Sequence, residues 1–143
     1  MATAGLPLVA SSAVHAAFPG VNGRIVFTSD RTGNFEIFTM DPDGSDVVQL
    51  TDWPEEDREP AWSPDGTRIV FVRTVDGDRE LFTMNAEGSD QTNITNYDTF
   101  DDEPVWSPDG KMIAWRHNLD NGNPEIFAVN VDGSGAPVNV SNQ

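Results

Sequence analysis

The stretch Trp62-Ser63-Pro64-Asp65-Gly66 returns as Trp106-Ser107-Pro108-Asp109-Gly110, 44 positions later. Recurrence over that distance means the chain is built from copies of one unit, and the unit decides the fold. The pentapeptide is punctuation. Proline fixes φ and gives no N–H to a ladder. Asp-Gly after it reads as a tight turn, the glycine taking a positive φ. Apolar runs flank each turn: Pro60-Ala61-Trp62 and Pro104-Val105-Trp106 before it, Arg68-Ile69-Val70-Phe71-Val72 and Lys111-Met112-Ile113-Ala114-Trp115 after it. Short β-branched and aromatic runs joined by a tight turn are the strands of a hairpin.

Working outward, each unit continues through Glu80-Leu81-Phe82-Thr83-Met84, a turn at Glu87-Gly88-Ser89-Asp90, and a closing Asn93-Ile94-Thr95. A later copy reads Glu125-Ile126-Phe127-Ala128-Val129, Asp132-Gly133-Ser134 and Asn139-Val140-Ser141. An earlier one reads Arg24-Ile25-Val26-Phe27, Glu36-Ile37-Phe38-Thr39-Met40, Asp43-Gly44-Ser45-Asp46 and Gln49-Leu50-Thr51, with Phe18 where the others have tryptophan. Three four-stranded units at this period predict an all-β protein with the blades of a β-propeller, over 18–56, 57–100 and 101–143. A small insertion, His117 to Pro124, is expected in the second hairpin of the third unit.

The ordered set Trp-Ser-Pro-Asp-Gly, Ile-x-Phe, Glu-Ile/Leu-Phe, a Gly turn and Leu-Thr or Ile-Thr resembles the PD40 repeat, the WD40-like repeat of the TolB propeller family. Phe18 to Ser141 carry the resemblance, and Arg31 after Ser29-Asp30 matches that family's Ser-x-Arg turn. The resemblance implies a periplasmic or secreted protein, usually six-bladed, serving as a protein-binding platform or as the gating domain of a larger hydrolase. This chain departs from it in having three units and no hydrolase domain. Propellers close at about four to eight blades, so a homodimer completing six is expected. The register agrees: Thr51 to Trp62 and Thr95 to Trp106 are each 11 residues. A designed or truncated piece of a longer propeller is the other reading.

Residues 1–17 stand apart. Leu6-Pro7-Leu8-Val9-Ala10 and Val14-His15-Ala16 resemble parts of a signal peptide, yet no Lys or Arg precedes Arg24. An export remnant and an arm supplying the innermost strand of the first blade are both open. No apolar run reaches the roughly 18 residues of a membrane span. Eight Lys and Arg face 24 Asp and Glu, a formal charge of −16. That excludes a nucleic-acid footprint and admits a cationic partner or divalent cations. With no cysteine, disulfides and thiolate metal sites are excluded.

The acidic stretches Asp52 to Glu59 and Asp98 to Glu103 are expected as loops ahead of the innermost strands. In the family such loops open on the axial channel, and an Asp often stands at Asp57 and Asp101. Gathered carboxylates there would suit Ca²⁺ or Mg²⁺; the plainer reading is solvated or turn-bonding side chains. Trp53, Glu59, Tyr97, Asp102 and Glu103 are the candidate contacts for a protein or peptide. Asp41-Pro42-Asp43-Gly44 looks like a Ca²⁺ loop but lacks the closing glutamate, and its recurrence in every unit marks a hairpin. Trp62 and Trp106 are expected between blades and Trp115 in the core. Enzyme readings are poor: His15 and His117 are the only histidines, with His117 expected exposed in the insertion, and no nucleophile elbow or phosphate loop is present. The expected function is a non-catalytic scaffold that closes on itself and binds a protein or peptide. A self-assembling half-propeller without ligand, and the propeller part of a larger hydrolase, are the alternatives.

Overall fold

A computed structural model describes residues 23–96, 100–119, 122–132 and 134–141. The readings that rest on residues 1–17, Phe18 and Tyr97 lie outside them. Eleven strands form three antiparallel sheets among the described residues. The first holds β1 (Ile25–Ser29), β2 (Glu36–Met40) and β3 (Val48–Gln49) in that order. The second runs β4 (Asp57–Trp62), β5 (Arg68–Val75), β6 (Asp78–Asn85), β7 (Thr92–Asn93). The third runs β8 (Asp101–Trp106), β9 (Met112–Asn118), β10 (Pro124–Asn130), β11 (Val138–Asn139). Each is a meander, as in a propeller blade.

The repeated pentapeptide turns the chain from β4 to β5 and from β8 to β9. Ser63 Oγ donates to Asp65 Oδ1 at 2.7 Å and accepts from the Arg68 amide at 3.0 Å. Ser107 repeats this with Asp109 at 2.6 Å and the Met112 amide at 2.9 Å. Gly66 and Gly110 have φ of 70° and 69°, which a side chain disfavours. Ser, Asp and Gly of the motif therefore each have a local job.

The Glu and Thr of each repeat form a second device. Thr51 Oγ accepts from the Ile37 amide at 2.9 Å and donates to Glu36 at 2.6 Å. Thr95 does the same with the Leu81 amide and Glu80, and Ser141 with the Ile126 amide and Glu125. The hydroxyl ties the segment after the short outer strand to the strand beside it, and in the first two sheets it satisfies a buried carboxylate. That is why Glu-x-Phe is followed by Thr at nearly constant spacing.

The second sheet is buried on both faces, so β5 reads as an unbroken apolar run. Ile69, Phe71 and Met84 pack with Ile37 of the first sheet. Val70, Val72 and Leu81 pack with Ile113, Trp115 and Val129 of the third. Trp62 and Trp106 are half-buried beside these two clusters, and Trp106 Nε1 donates to the Ala61 carbonyl of the preceding sheet at 3.0 Å. Trp115 is 1% exposed. Both tryptophan expectations match these positions. Gly88 marks another close approach: a Cβ there would lie 2.6 Å from the Leu50 carbonyl oxygen of the first sheet.

Two expectations are corrected. His117 is not in an exposed insertion. It lies on β9 opposite Asp101, 8% exposed, and the hairpin turn falls between β9 and β10 after Asn118. Likewise Asp57, Glu59, Asp101, Asp102 and Glu103 are not on loops ahead of the innermost strands; they are on β4 and β8 themselves. The prolines explain why the sequence hid this. Pro60 and Pro104 cannot donate to a ladder, and each follows a bulge, where the register shifts between Arg58 and Ala61 and between Asp102 and Val105. Glu59 and Glu103 occupy these bulges with φ of 54° and 55°. Each strand resumes pairing on its far side.

Candidate functional site

The innermost strands β4 and β8 set the site. Alternation and the bulge sort their acidic residues into two environments. Asp57 and Asp101, both fully buried, point between sheets. Glu59 and Glu103 are exposed.

Asp57 sits across from Arg73 on β5. The guanidinium grips both carboxylate oxygens, Nε to Oδ1 at 2.8 Å and Nη2 to Oδ2 at 2.7 Å, and Nη2 also donates to Gln91 at 2.9 Å. The Arg73 guanidinium carbon lies 4.5 Å from the Trp53 ring centroid, 4.9 Å from Phe82 and 5.2 Å from Phe71. Trp53, 37% exposed, also donates its indole N–H to the Thr74 carbonyl at 3.0 Å. Its ring therefore covers the buried ion pair.

Forty-four positions on, His117 replaces Arg73 and Asp101 replaces Asp57. His117 Nδ1 lies 2.6 Å from Asp101 Oδ1, and its ring centroid lies 4.7 Å from that of Phe127, the planes tilted by 59°. Asp101 Oδ2 faces the Trp115 indole and the Thr95 hydroxyl, but neither closes a well-formed hydrogen bond. The first sheet has Ser29 at this position. There Arg31 bonds the Ser29 hydroxyl at 2.9 Å and lies 5.1 and 4.9 Å from Phe27 and Phe38. Each sheet thus lays a cation or imidazole over its central aromatics.

Asp57 and Asp101 do not suit Ca²⁺ or Mg²⁺. A hard divalent cation needs several oxygen ligands with open lone pairs, whereas both Asp57 oxygens are held by Arg73, and Asp101 has Oδ1 taken by His117 and offers only one buried oxygen. Among the described residues no group of three or more His, Cys, Asp or Glu could hold a metal ion.

The exposed rim is a mixed-charge network. Asp102, 3% exposed, takes Arg116 bidentately at 2.7 and 2.8 Å, with Arg79 at 3.6 Å. Glu59 reaches the next sheet and accepts the Glu103 amide at 2.7 Å. Arg58 pairs with Glu56 at 2.8 Å and covers the Phe35 ring at 3.6 Å. Of the expected contacts, Glu59, Asp102 and Glu103 are brought together here, and Trp53 stands beside Arg73. The arginines Arg73, Arg79 and Arg116 were missed. For Arg73 the signal was present in the spacing: Asp57 to Arg73 and Asp101 to His117 are both 16 residues.

The TolB beta propeller domain, PD40, matches residues 49–142 of this chain. The chain belongs to the PD40 family. A protein TolB homolog of Chlorobaculum tepidum is 57% identical over 44 residues, 31% of this chain and 10% of that protein. Those 44 residues equal one repeat period. Among solved structures, a TolB from Agrobacterium tumefaciens superposes with a TM-score of 0.76 at 23% identity, covering 88% of this chain and 44% of that one. TolB from Acinetobacter baumannii gives 0.69 at 24% identity, over 82% and 29%. This PD40 chain therefore spans less than half the length of each of these relatives. The three sheets are propeller blades. No helix among the described residues is long and apolar enough to cross a membrane.

The buried pair of the third blade carries a pH prediction. Burial pushes the Asp101 carboxyl above its usual 3.8, with the bond to His117 opposing it. The folded chain then holds the Asp101 proton more tightly than the unfolded chain, so this group's contribution is greatest in acid. It is lost as pH rises from 3.8 through the raised value. Asp65 and Asp109 run the other way: their turn hydroxyls and amides lower both carboxyls, so their contribution is lost as pH falls below 3.8. Relative to the wild type, Asp101→Asn should gain stability as pH is raised from about 4 to about 7, since it lacks the ionisation cost. Urea midpoints of the two proteins at both pH values measure this, and an unchanged difference would contradict it.

Proposed function

We propose that this PD40 chain is a non-catalytic periplasmic scaffold that pairs with a second copy of itself into a six-bladed ring. The ring binds a protein or peptide on its inner rim. One observation carries the reading. The face of the second blade that contains Ala61, Val70 and Leu81 is covered by the third blade. The equivalent face of the third blade holds Val105, Met112, Ile126 and Val138, exposed at 58, 38, 41 and 51%. At the other end, Ile25 of the first blade is 42% exposed, where its counterparts Ile69 and Ile113 are fully covered. One end is the lower half of the blade-to-blade contact and the other is its upper half. A second copy satisfies both ends at once, and apolar faces of this kind mark association. Glu59 supports closure too, because its reach to the next blade leaves Glu103 set to do the same across the new joint.

Charge supports the ligand class. The chain's −16 excess and the exposed Glu59 and Glu103 favour a basic peptide segment. Native mass spectrometry should show about twice the 15.6 kDa chain. Val105→Asp with Ile126→Asp should return it to the monomer without unfolding it, since both are exposed in the single chain. On the dimer, an oligolysine probe should bind more weakly after Glu59→Gln and Glu103→Gln. A monomeric wild type at micromolar concentration sinks the ring; unchanged probe binding sinks the rim.

A further inference from the structure

Clefts open at corresponding places in both blade-to-blade joints, the first beside the turn that leaves β6 and the second beside the turn that leaves β10. In the first joint, Arg24 lines a cleft of about 400 Å³ with Asp46 and Glu87. Its guanidinium is clamped by two carboxylates, Asp41 at 2.9 Å and Asp46 at 2.6 Å, and lies 3.4 Å from the Thr39 hydroxyl. In the second joint the counterpart of Arg24 is Arg68, 44 positions later, in a cleft of about 430 Å³. Thr83 stands where Thr39 stood and accepts from Arg68 Nη2 at 2.7 Å.

The carboxylate clamp is absent from this second joint. Asn85 replaces Asp41 and turns its amide to Asp90 at 2.8 Å, so the counterpart of Asp46 is occupied elsewhere. Among the described residues Arg68 makes no ion pair, and its Nε is buried without an acceptor. A second cation joins it: Lys111 lines the same cleft, where the first joint has Thr67 in the matching position. Asn130 and Ser134 add polar atoms. Asp132 is the one carboxylate in the lining, and it is engaged by the Ser134 amide at 2.8 Å. Asp109 lies nearby and accepts the Lys111 amide at 3.2 Å.

We propose that this second cleft binds a small oxyanion, a phosphate or a carboxylate, between Arg68 and Lys111. Among the described residues the Arg68 charge has no counter-ion, and an oxyanion seated in the cleft supplies one. The guanidinium fork presents paired donors suited to two oxygens of one ligand, and an ammonium adds a point charge. The first cleft, with its arginine neutralised, is the internal comparison and binds no anion. The site lies away from the inner rim and does not depend on ring closure.

The test uses the full chain with inorganic phosphate as probe and sodium chloride at matched ionic strength as control. Phosphate should raise the thermal midpoint saturably, as a ligand of the folded state does, and chloride should not. Lys111→Gln, at an exposed position that leaves the fold intact, should weaken the apparent affinity about tenfold or more, as loss of one charge-assisted bond does. Asn85→Asp should abolish the phosphate response by giving Arg68 the clamp that Arg24 has. Arg24→Gln should leave the response unchanged. An acetate arm separates the two ligand sources: saturation by phosphate alone assigns the site to phosphates, and equal saturation by acetate assigns it to carboxylates. No saturable shift with either anion, or an equal shift in the Lys111 and Asn85 variants, overturns the proposal.

Discussion

Arg73→Met should destabilise this protein by about 3–5 kcal/mol, because it strands the Asp57 carboxylate without its cation. Asp57 is fully buried and both its oxygens are held by the one guanidinium. The rings of Phe71, Phe82 and Trp53 that surround the guanidinium offer the stranded carboxylate no free hydrogen-bond donor in its place. Asp57→Asn should cost a similar amount for the opposite reason, leaving Arg73, 5% exposed, as an unbalanced buried cation. The double variant Asp57→Asn, Arg73→Met should recover much of the loss, since a neutral pair of similar volume no longer carries the desolvation of two charges. Arg58 and Glu56, a pair at 2.8 Å with side chains 35 and 44% exposed, supply the contrast: breaking it should cost less than about 1 kcal/mol. Denaturant midpoints of the four variants give the ranking. Near-equal losses for the buried and exposed pairs would refute the account of Asp57 and Arg73 as a desolvated ion pair.

Trp115→Ala should cost about 3–5 kcal/mol, the range for truncating a large aromatic in a packed core. Trp115 is the largest of the fully buried side chains. It stands on β9 in the joint with the second blade, among Val72, Leu81 and Ile113, so its loss opens a cavity between blades. Trp106→Ala should cost less although it belongs to the repeated motif, because its ring is only half-buried. It would lose the indole bond to the Ala61 carbonyl and part of its packing. If Trp106→Ala proved the more damaging, the joint would be held from its inner edge rather than from its middle.

Much of this was legible from residue order. The Trp-Ser-Pro-Asp-Gly turns, the Glu-x-Phe strands and the closing Thr are local devices. Each acts within a few residues or across one hairpin, so the identity and spacing of residues determine it. The three blades and their antiparallel meander follow from that spacing. What the spacing concealed was the path of β4 and β8. Acidic residues before a proline read as loop, and only pairing with β5 and β9 shows that a bulge carries the strand across Pro60 and Pro104.

The carboxylates show the same division. Sequence alone placed Asp57 and Asp101 at equivalent positions of the repeat. It did not say what they face, because their partners, Arg73 and His117, come from the neighbouring strand and their burial comes from the preceding blade. An acidic stretch with a formal excess of negative charge therefore resembled a cation site, while the tertiary structure spends its scarce positive charges there. Periodicity determined the fold, because a repeated unit must stack on its own kind to cover its apolar faces. Packing between blades decided which charged residues are buried pairs and which remain exposed, because desolvation is set by neighbours that no single repeat contains.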